Sequence, residues 1–169
     1  GRIVDLACGH GLTAALLLLL DDSSPQALAV DCNIPPSAGS LHKSLVKCWP
    51  RRENRLAFIE APLQKIKLTS SDLVVSVHAC GQLTDLVLDQ VAAARARVAV
   101  LPCCHDLEEA DQGSLGGWLD GPLAVDVVRA RNLREKDYKI FTQLIPQDIT
   151  PKNRLLMAEP ANSTASPPL

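Results

Sequence analysis

The chain has 169 residues, of which 47% are hydrophobic and 3% aromatic, and it carries a net charge of −2. This length suits a single domain with one sizeable core, and the near-neutral charge excludes an overall basic field that recruits nucleic acid. The sequence shows no signal peptide, and its leucine run at residues 16–20 is too short to span a bilayer. We therefore expect a cytoplasmic protein with no membrane partner, whose six cysteines are reduced thiols.

Strand and helix patterns alternate along the chain. Apolar runs predict strands at residues 2–7, 27–30, 55–60, 72–78 and 97–101. Helices are predicted at residues 12–20, 37–48, 84–95 and 123–136. The third of these helices is expected to begin with Thr84 or Asp85 as its cap, because short polar side chains accept from the free backbone N–H groups of a first turn.

The last part of the sequence predicts a hairpin. Two strands, at residues 138–145 and 154–158, are joined by the short loop 146–153. A parallel βαβ series closed by this hairpin predicts an α/β, Rossmann-like fold, with a mostly parallel sheet, helices on both faces and an antiparallel C-terminal hairpin. Residues 1–159 are expected to form that domain, and the Pro-, Ser- and Ala-rich residues 160–169 are expected to be a disordered tail.

The segment after the first strand is the most informative part of the sequence. Gly9 and Gly11 form a turn between that strand and a leucine-rich helix, and such a turn lets the backbone approach a cofactor without a Cβ in the way. The second strand leads into Asp31, about 20 residues beyond the last loop glycine, where a carboxylate is placed to accept from a ribose diol. Together they predict a site for a nucleoside-containing cofactor, and the alternative is a tight βα turn that binds nothing.

Asp5 distinguishes between two classes of cofactor. Residues 9–14 fit the pattern G-x-G-x-x-A, which is found in dinucleotide-binding enzymes. A carboxylate near the end of the first strand, four residues before Gly9, would repel a pyrophosphate and attract a sulfonium amino acid with its ammonium group. An NAD(P)-dependent oxidoreductase is therefore kept as the alternative to an enzyme that binds a sulfonium.

Residues 5–11, with the sequence DLACGHG, closely resemble the first motif of class I S-adenosylmethionine (SAM)-dependent methyltransferases. Asp31 is similar to the acidic residue of their second strand, and Ala7 stands where many members have glycine. The resemblance implies methyl transfer from SAM, with S-adenosylhomocysteine (SAH) as the product. The cofactor contacts that it implies are Asp5, Ala7, Cys8, Gly9, Gly11, Asp31, Cys32, Glu60, Ala61 and His78.

Some of these contacts follow later strands. Glu60 and Ala61 come at the end of the third strand, where these enzymes contact the adenine, and a solvated strand-end glutamate is an equal alternative for Glu60. His78 ends the fourth strand and would lie under the methionine moiety of the cofactor.

A second pair of motifs is HACGQLTD at residues 78–85 and PCCH at residues 102–105. They end the fourth and fifth strands, which are neighbours in the expected fold, so their side chains would converge beside the methyl group. The pair resembles a methyltransferase subfamily that includes eukaryotic tRNA 2′-O-methyltransferases and the methyltransferase domains attached to glutathione-transferase-like modules. The resemblance extends to residues 149–155 and implies an RNA 2′-hydroxyl as acceptor, with a small molecule as a near-equal alternative because the sequence is acidic overall.

A hydroxyl or amine acceptor must lose a proton, so the cluster needs a base. His78 and His105 are the candidate catalytic bases, with Asp85 as an orienting or charge-stabilising partner. Alternatively, Cys103 or Cys104 is a covalent nucleophile, since Cys103 follows a proline as in pyrimidine C5-methyltransferases, although the accompanying residues of those families are missing.

A metal site ranks last among these chemistries. Cys80, Cys103, Cys104 and two histidines offer thiolate and imidazole ligands, but adjacent cysteines chelate one ion awkwardly and no C-x-x-C spacing exists. We therefore expect no metal. The [DNS]-P-P-[FY] signature of exocyclic-amine methyltransferases is also absent after the fourth strand, which argues against N-methylation of a base.

Methyltransferases of this class usually carry a helix before the first strand. Here the first strand begins at the start of the sequence, so we expect this helix to be missing from it or the domain to belong to a longer protein. We expect a monomer or a weak dimer. A non-catalytic module of the same fold, which binds a partner or RNA, is the remaining alternative.

Overall fold

The computed structural model of this protein describes residues 1–77 and 79–161. Its strands are β1 (Ile3–Leu6), β2 (Ala27–Asp31), β3 (Leu56–Glu60), β4 (Leu73–Ser76), β5 (Arg97–Val100), β6 (Tyr138–Leu144) and β7 (Arg154–Pro160). Its helices are α1 (Leu12–Leu20), α2 (Ser37–Cys48), α3 (Gln82–Ala94) and α4 (Gly121–Glu135), with 3₁₀ turns at Pro50–Arg52 and Leu63–Lys65. Every predicted strand and helix is present, with bounds shifted by a few residues.

The described strands form one seven-stranded sheet in the order β3-β2-β1-β4-β5-β7-β6. β1 to β5 are parallel, and β7 runs antiparallel between β5 and β6. The predicted α/β fold with an antiparallel C-terminal hairpin is therefore confirmed. The chain leaves β1 for β2 on one side and returns to β4 on the other, so the carboxyl ends of β1 and β4 flank the switch point at which such sheets bind ligands.

Apolar side chains cover both faces of the sheet. β1 is buried along its whole length, and its successive side chains point to opposite faces. Val4 packs in the layer that contains Val87 of α3, whereas Ile3 packs in the layer that contains Leu18 of α1. Each such side chain contributes about 1.5–3 kcal/mol by its burial. The loops at the carboxyl end of the sheet are therefore carried by strands that are held from both sides.

The start of α3 differs from the prediction. The helix begins at Gln82 after Gly81, which has a φ of 55°, and no side chain caps it. Thr84 and Asp85 were expected as caps, and that expectation is wrong because both lie inside the first turn. The hydroxyl of Thr84 instead donates to the carbonyl oxygen of Ala79. Gly81, with its left-handed backbone, therefore precedes the helix at the position where a capping side chain was expected.

The C-terminal region also differs in detail. α4 begins at Gly121, two residues earlier than predicted, because the Asp120 carboxylate accepts from the amide of Leu123 at 3.0 Å. β7 extends to Pro160, the first residue of the segment expected to be a disordered tail, and residues 162–169 lie outside the described residues. Among the described helices, none has the length and apolar character needed to cross a membrane.

Candidate functional site

The loop after β1 turns through three left-handed backbone positions. The φ angles are 57° at Ala7, 51° at Gly9 and 68° at Gly11. A residue with a Cβ pays roughly 1–2 kcal/mol in this region, and glycine does not. Ala7 is therefore strained where a glycine would be relaxed, which gives a physical reason for the glycine that related first motifs carry there.

The two glycines of the loop have different surroundings. A Cβ on Gly11 would lie 2.7 Å from Cε1 of Phe58 and 3.1 Å from the Cβ of Ala29. A Cβ on Gly9 would meet nothing within 4 Å. Gly11 is thus required by the packing of the loop on β2 and β3, whereas Gly9 borders open space at the carboxyl end of the sheet.

Asp31 ties this loop to the end of β2. Its Oδ2 accepts from the amide of Gly9 at 2.9 Å, and its carbonyl oxygen accepts from the amide of Ala61 at 2.9 Å. Among the described residues, the donors to its Oδ1 are the amide of Asn33 at 3.3 Å and the thiol of Cys32 at 3.5 Å. The half-exposed carboxylate therefore fixes the loop with one oxygen, while the other accepts from the two residues that follow it.

Asp5 lies beneath the loop. Its carboxylate is 1% exposed, and Oδ2 accepts from the amide of Ala14 in the first turn of α1 at 3.2 Å. Burial raises the pKa of Asp5 to about 7, the bond from Ala14 opposes this rise, and the nearby charge of Asp31 adds to it. This carboxylate was expected to face a cofactor, and in the structure its Oδ2 is bonded to the first turn of α1.

A cavity of about 150 Å³ opens beside Asp31. Its lining residues are Ala7, Val30, Asp31, Cys32, Ala61, Pro62, Leu63, Gln64 and Leu83. A cavity of this order holds an aromatic ring. The structure thus brings four of the predicted cofactor residues, Ala7, Asp31, Cys32 and Ala61, to one cavity.

Two further predicted cofactor residues, Glu60 and Cys8, are not among the residues that line that cavity. The Oε2 of Glu60 accepts from the amide of Ile34 at 3.1 Å, so this exposed side chain braces the loop after β2. Cys8 is buried, and desolvation, with the charges of Asp5 and Asp31, raises the pKa of its thiol to about 12. Cys8 is accordingly an inert packing residue under the loop.

The ends of β4 and β5 converge, as the second motif pair predicts. The Sγ atoms of Cys80 and Cys103 are 2.9 Å apart, and the Sγ of Cys104 lies within 4.8 Å of both. The amide of Gly81 donates to the carbonyl oxygen of Cys104 at 3.1 Å and holds the two loops together. His78, the other residue assigned to this region, lies outside the described residues.

His105 is paired with a carboxylate that neither motif contains. Its Nε2 lies 2.7 Å from Oδ1 of Asp126 on α4, and the His105 side chain is 3% exposed. The other carboxylate oxygen of Asp126 accepts from Nε of Arg154, at the start of β7, at 2.7 Å. Asp126 thus joins the loop after β5 to α4 and β7.

Asp85 does not contact His105. Both of its carboxylate oxygens accept from the guanidinium of Arg129, each at 2.8 Å. Arg129 is buried, donates to the carbonyl oxygen of Gly81 at 2.9 Å and lies 3.3 Å from Asp126. Asp85 was expected as an orienting or charge-stabilising partner of the candidate bases; it pairs with Arg129, and the carboxylate that contacts His105 is Asp126. The only sequence signal for this was the i, i+3 spacing of Asp126 and Arg129.

The sequence of residues 1–110 matches a family described as "Methyltransferase domain". The chain belongs to this family. The match includes the loop after β1, Asp31 and the thiol cluster, and it ends before α4. Comparison with the curated proteins gave no significant match.

Solved structures share the fold of this methyltransferase domain. An O-methyltransferase family protein from Burkholderia thailandensis is 15% identical, with a TM-score of 0.60 over 95% of this chain and 51% of that chain. The methyltransferase domain of bacterial CtHen1 is 17% identical, with a TM-score of 0.59 and coverages of 94% and 89%. A putative tRNA (m1A22) methyltransferase from Streptococcus pneumoniae is 12% identical, with a TM-score of 0.55 and coverages of 98% and 66%.

The methyltransferase domain thus spans about half the length of the Burkholderia protein that it resembles. At these identities the structural similarity shows the fold alone.

Proposed function

We propose that this domain binds SAM along the carboxyl ends of β1, β2 and β4 and promotes transfer of its methyl group to an acceptor. One observation carries the proposal: the carboxylate of Asp31 is fastened to the backbone of Gly9 and lines the cavity of about 150 Å³. A carboxylate in this position beside a glycine turn can accept hydrogen bonds from a ribose diol. The open space at Gly9 leaves room for the groups attached to that ribose.

The cavity suits the base of a nucleoside. Small residues, Ala7 and Ala61, and the apolar side chains of Pro62 and Leu63 form much of its wall, and such concave, mostly apolar surfaces are typical of ligand sites. Glu60 is the proposed acceptor for the adenine amino group, through Oε1, since Oε2 accepts from a backbone amide. Cys32 follows Asp31 at the mouth of the same cavity.

Asp5 is proposed to act from below the loop, toward the cationic end of the cofactor. Its pKa of about 7 means that the carboxyl is partly protonated at neutral pH. A bound sulfonium and ammonium favour the ionised form, so SAM would bind more tightly as pH rises through 7. The backbone of Cys8, Gly9 and Gly11 carries the amino-acid and ribose portions.

Bound SAM supplies an electrophilic methyl group, and the domain contributes alignment and a destination for the proton of the acceptor. His105 is the proposed base, because Asp126 holds its Nε2 and Nδ1 is the ring nitrogen that remains to accept a proton. His78 is the second candidate base. The covalent alternative is less favoured, since the thiol of Cys103 is already in contact with Cys80.

The acceptor is proposed to be a small molecule with a hydroxyl or amine group. Four exposed carboxylates, those of Asp106, Glu108, Glu109 and Asp111, follow His105 on the loop beside the site. Such a rim repels the phosphates on which RNA binding depends, which makes the RNA 2′-hydroxyl the second choice. A cytoplasmic location is proposed on the basis of the six free cysteines.

Thermal-shift measurements with SAH, SAM, NADH and NADPH test the cofactor. A ligand present at 100 times its Kd stabilises a protein by about 2.7 kcal/mol, and we expect this effect from SAH and SAM only. Asp31→Ala should abolish the shift. Asp89→Ala removes an exposed carboxylate of α3 that is paired with Lys136, and it should preserve the thermal shift. Stabilisation by NADH or NADPH alone, or by none of the four, would contradict the proposal.

A methyl-transfer screen with radiolabelled SAM, run against pooled small molecules and against total RNA, tests the acceptor. We expect label in the small-molecule pool, and a loss of roughly 10²- to 10⁴-fold in rate in His105→Ala with the SAH shift retained. Label only in RNA would reverse the choice of acceptor. Cofactor binding with no transfer to either pool would favour a non-catalytic module.

A further inference from the structure

Three cysteines form a cluster outside the cofactor cavity. Cys80 follows β4, and Cys103 and Cys104 follow β5. Their Sγ atoms all lie within 4.8 Å of one another. Cys80 and Cys104 are exposed and Cys103 is half-buried, so the cluster is open to solvent.

Cys103 and Cys104 are adjacent in the sequence, and adjacent cysteines were expected to chelate one ion awkwardly. The fold nevertheless places both beside Cys80. Consecutive side chains of a strand point to opposite faces, but the chain has left β5 at Val100, before either cysteine. Both thiols are therefore free to face Cys80. The bond from the amide of Gly81 to the carbonyl oxygen of Cys104, at 3.1 Å, fixes the two loops in this arrangement.

We propose that Cys80, Cys103 and Cys104 bind one Zn²⁺ ion, with a water molecule in the fourth position. Zinc bonds to thiolate sulfur at about 2.3 Å, which separates the sulfurs of a tetrahedral site by roughly 3.8 Å. The Sγ atoms of Cys80 and Cys103 are 2.9 Å apart and all three lie within 4.8 Å of one another, so side-chain rotations that part the first pair would bring the three sulfurs to this separation. On binding, each thiol gives its proton to the solvent.

The surroundings of the cluster favour a cation. The carboxylates of Asp106 and Glu109 line the same opening as Cys80 and Cys104, and no lysine or arginine is among its described lining residues. Thiolates select zinc or Cu(I) over magnesium and calcium, which prefer oxygen ligands. His105 is not counted as a ligand, because its Nε2 is paired with Asp126.

Binding of Co²⁺ and Zn²⁺ to the reduced domain tests the site. We expect one Co²⁺ per chain, with the near-ultraviolet charge-transfer absorption of cobalt–thiolate bonds, and displacement of that ion by Zn²⁺. Cys80→Ser, Cys103→Ser and Cys104→Ser should each weaken binding more than about tenfold, since even outer partners of a metal ligand are worth 10–100-fold. Cys48→Ser, which replaces an exposed cysteine at the end of α2, is the matched control and should bind normally.

The competing chemistry is a disulfide between Cys80 and Cys103, which are the closest pair of the cluster. Binding that persists in Cys104→Ser, or reduced protein that binds no ion, would overturn the zinc site. If, in addition, mass spectrometry shows that mild oxidation removes two hydrogen atoms from the chain, the cluster forms a disulfide instead. Because Cys104 is exposed, we expect Cys104→Ser to fold. If the thermal unfolding of this variant is unchanged, a failure to bind Co²⁺ reflects the loss of a ligand.

The metal site is independent of the proposed methyl transfer. The SAH thermal shift is measured on the same samples as the Co²⁺ titration. A domain that responds to SAH and binds no metal would contradict only the zinc site. A domain that binds metal and shows no thermal shift with SAH would contradict only the proposed cofactor.

Discussion

The carboxyl ends of β1 and β2 and those of β4 and β5 are built in different ways. At the first pair, a short run of backbone with φ near +60° and a single carboxylate, Asp31, shape the loop. At the second pair, charged side chains from α3, α4 and β7 hold His105 and the cysteine loops. The cofactor end thus depends on local backbone geometry, and the proposed acceptor end depends on contacts between distant parts of the chain. Substitutions can test this difference directly.

The largest effect is expected for Arg129→Ala. This change removes a buried guanidinium that pairs with the half-exposed Asp85 and with Asp126 and that donates to the carbonyl oxygen of Gly81, and loss of such a buried ionic partner costs about 3 kcal/mol. Chemical denaturation measures the loss in the free energy of unfolding. Arg131→Ala removes an exposed arginine from the same helix and should cost less than about 1 kcal/mol. Equal losses in the two variants would mean that the network does not hold the acceptor end.

Gly11→Ala should be nearly as damaging at the cofactor end. Its Cβ would collide with Phe58 and adopt a left-handed φ, so we expect a loss on the order of 3 kcal/mol in the free energy of unfolding. Gly9→Ala has the same φ cost without the collision. It should lose only about 1 kcal/mol and should weaken SAH binding, because its methyl group enters the space proposed for the cofactor. Similar stability losses would show that packing does not distinguish the two glycines.

Asp5 gives stability a dependence on pH. Its pKa is about 7 when folded and lower when unfolded, so between about pH 4 and 7 the folded state binds more protons. The free energy of unfolding should therefore fall as pH rises from 5 to 8, by about 2 kcal/mol from this group, and level off above the folded pKa. Denaturation curves for the wild type and Asp5→Asn at both pH values isolate this contribution. An identical fall in the variant would assign the pH dependence to other groups.

The smallest effect is expected for Ala7→Gly. Relief of the left-handed φ at Ala7 is worth about 1 kcal/mol, and part of it is offset by the greater freedom of glycine in the unfolded chain. The variant should be equally stable or slightly more stable, with SAH binding retained. A clear loss of stability, measured by the same denaturation experiment, would mean that the Ala7 methyl group contributes packing at the cavity that outweighs its strain.

The same difference explains which features could be predicted from sequence. Apolar strands, proline and glycine positions and the spacing from Gly11 to Asp31 are local signals, and they predicted the element order, the topology and one wall of the cavity. The orientation of Asp5 is a matter of packing, because burial beneath α1 depends on how that helix is set on the sheet.

The side-chain contacts at the acceptor end could not be predicted from local sequence signals. Asp126 and Arg154 reach His105 and each other only after α4 and β7 are packed on the sheet, and nothing in the spacing of the PCCH motif points to them. Asp85 was expected to orient the candidate bases or to stabilise their charge. A buried arginine from α4 occupies that carboxylate instead.

The position of β7 has a consequence for the order in which the sheet assembles. β6 is synthesised before β7, yet in the described sheet it is attached through β7, which separates it from β5. Until residues 154–160 are inserted, β5 presents an open edge and β6 has no place in the sheet, and such edges promote association between chains. Completion of the sheet by its last strand is therefore expected to be a late folding step, and nascent chains that end before Arg154 should be the ones most prone to aggregate.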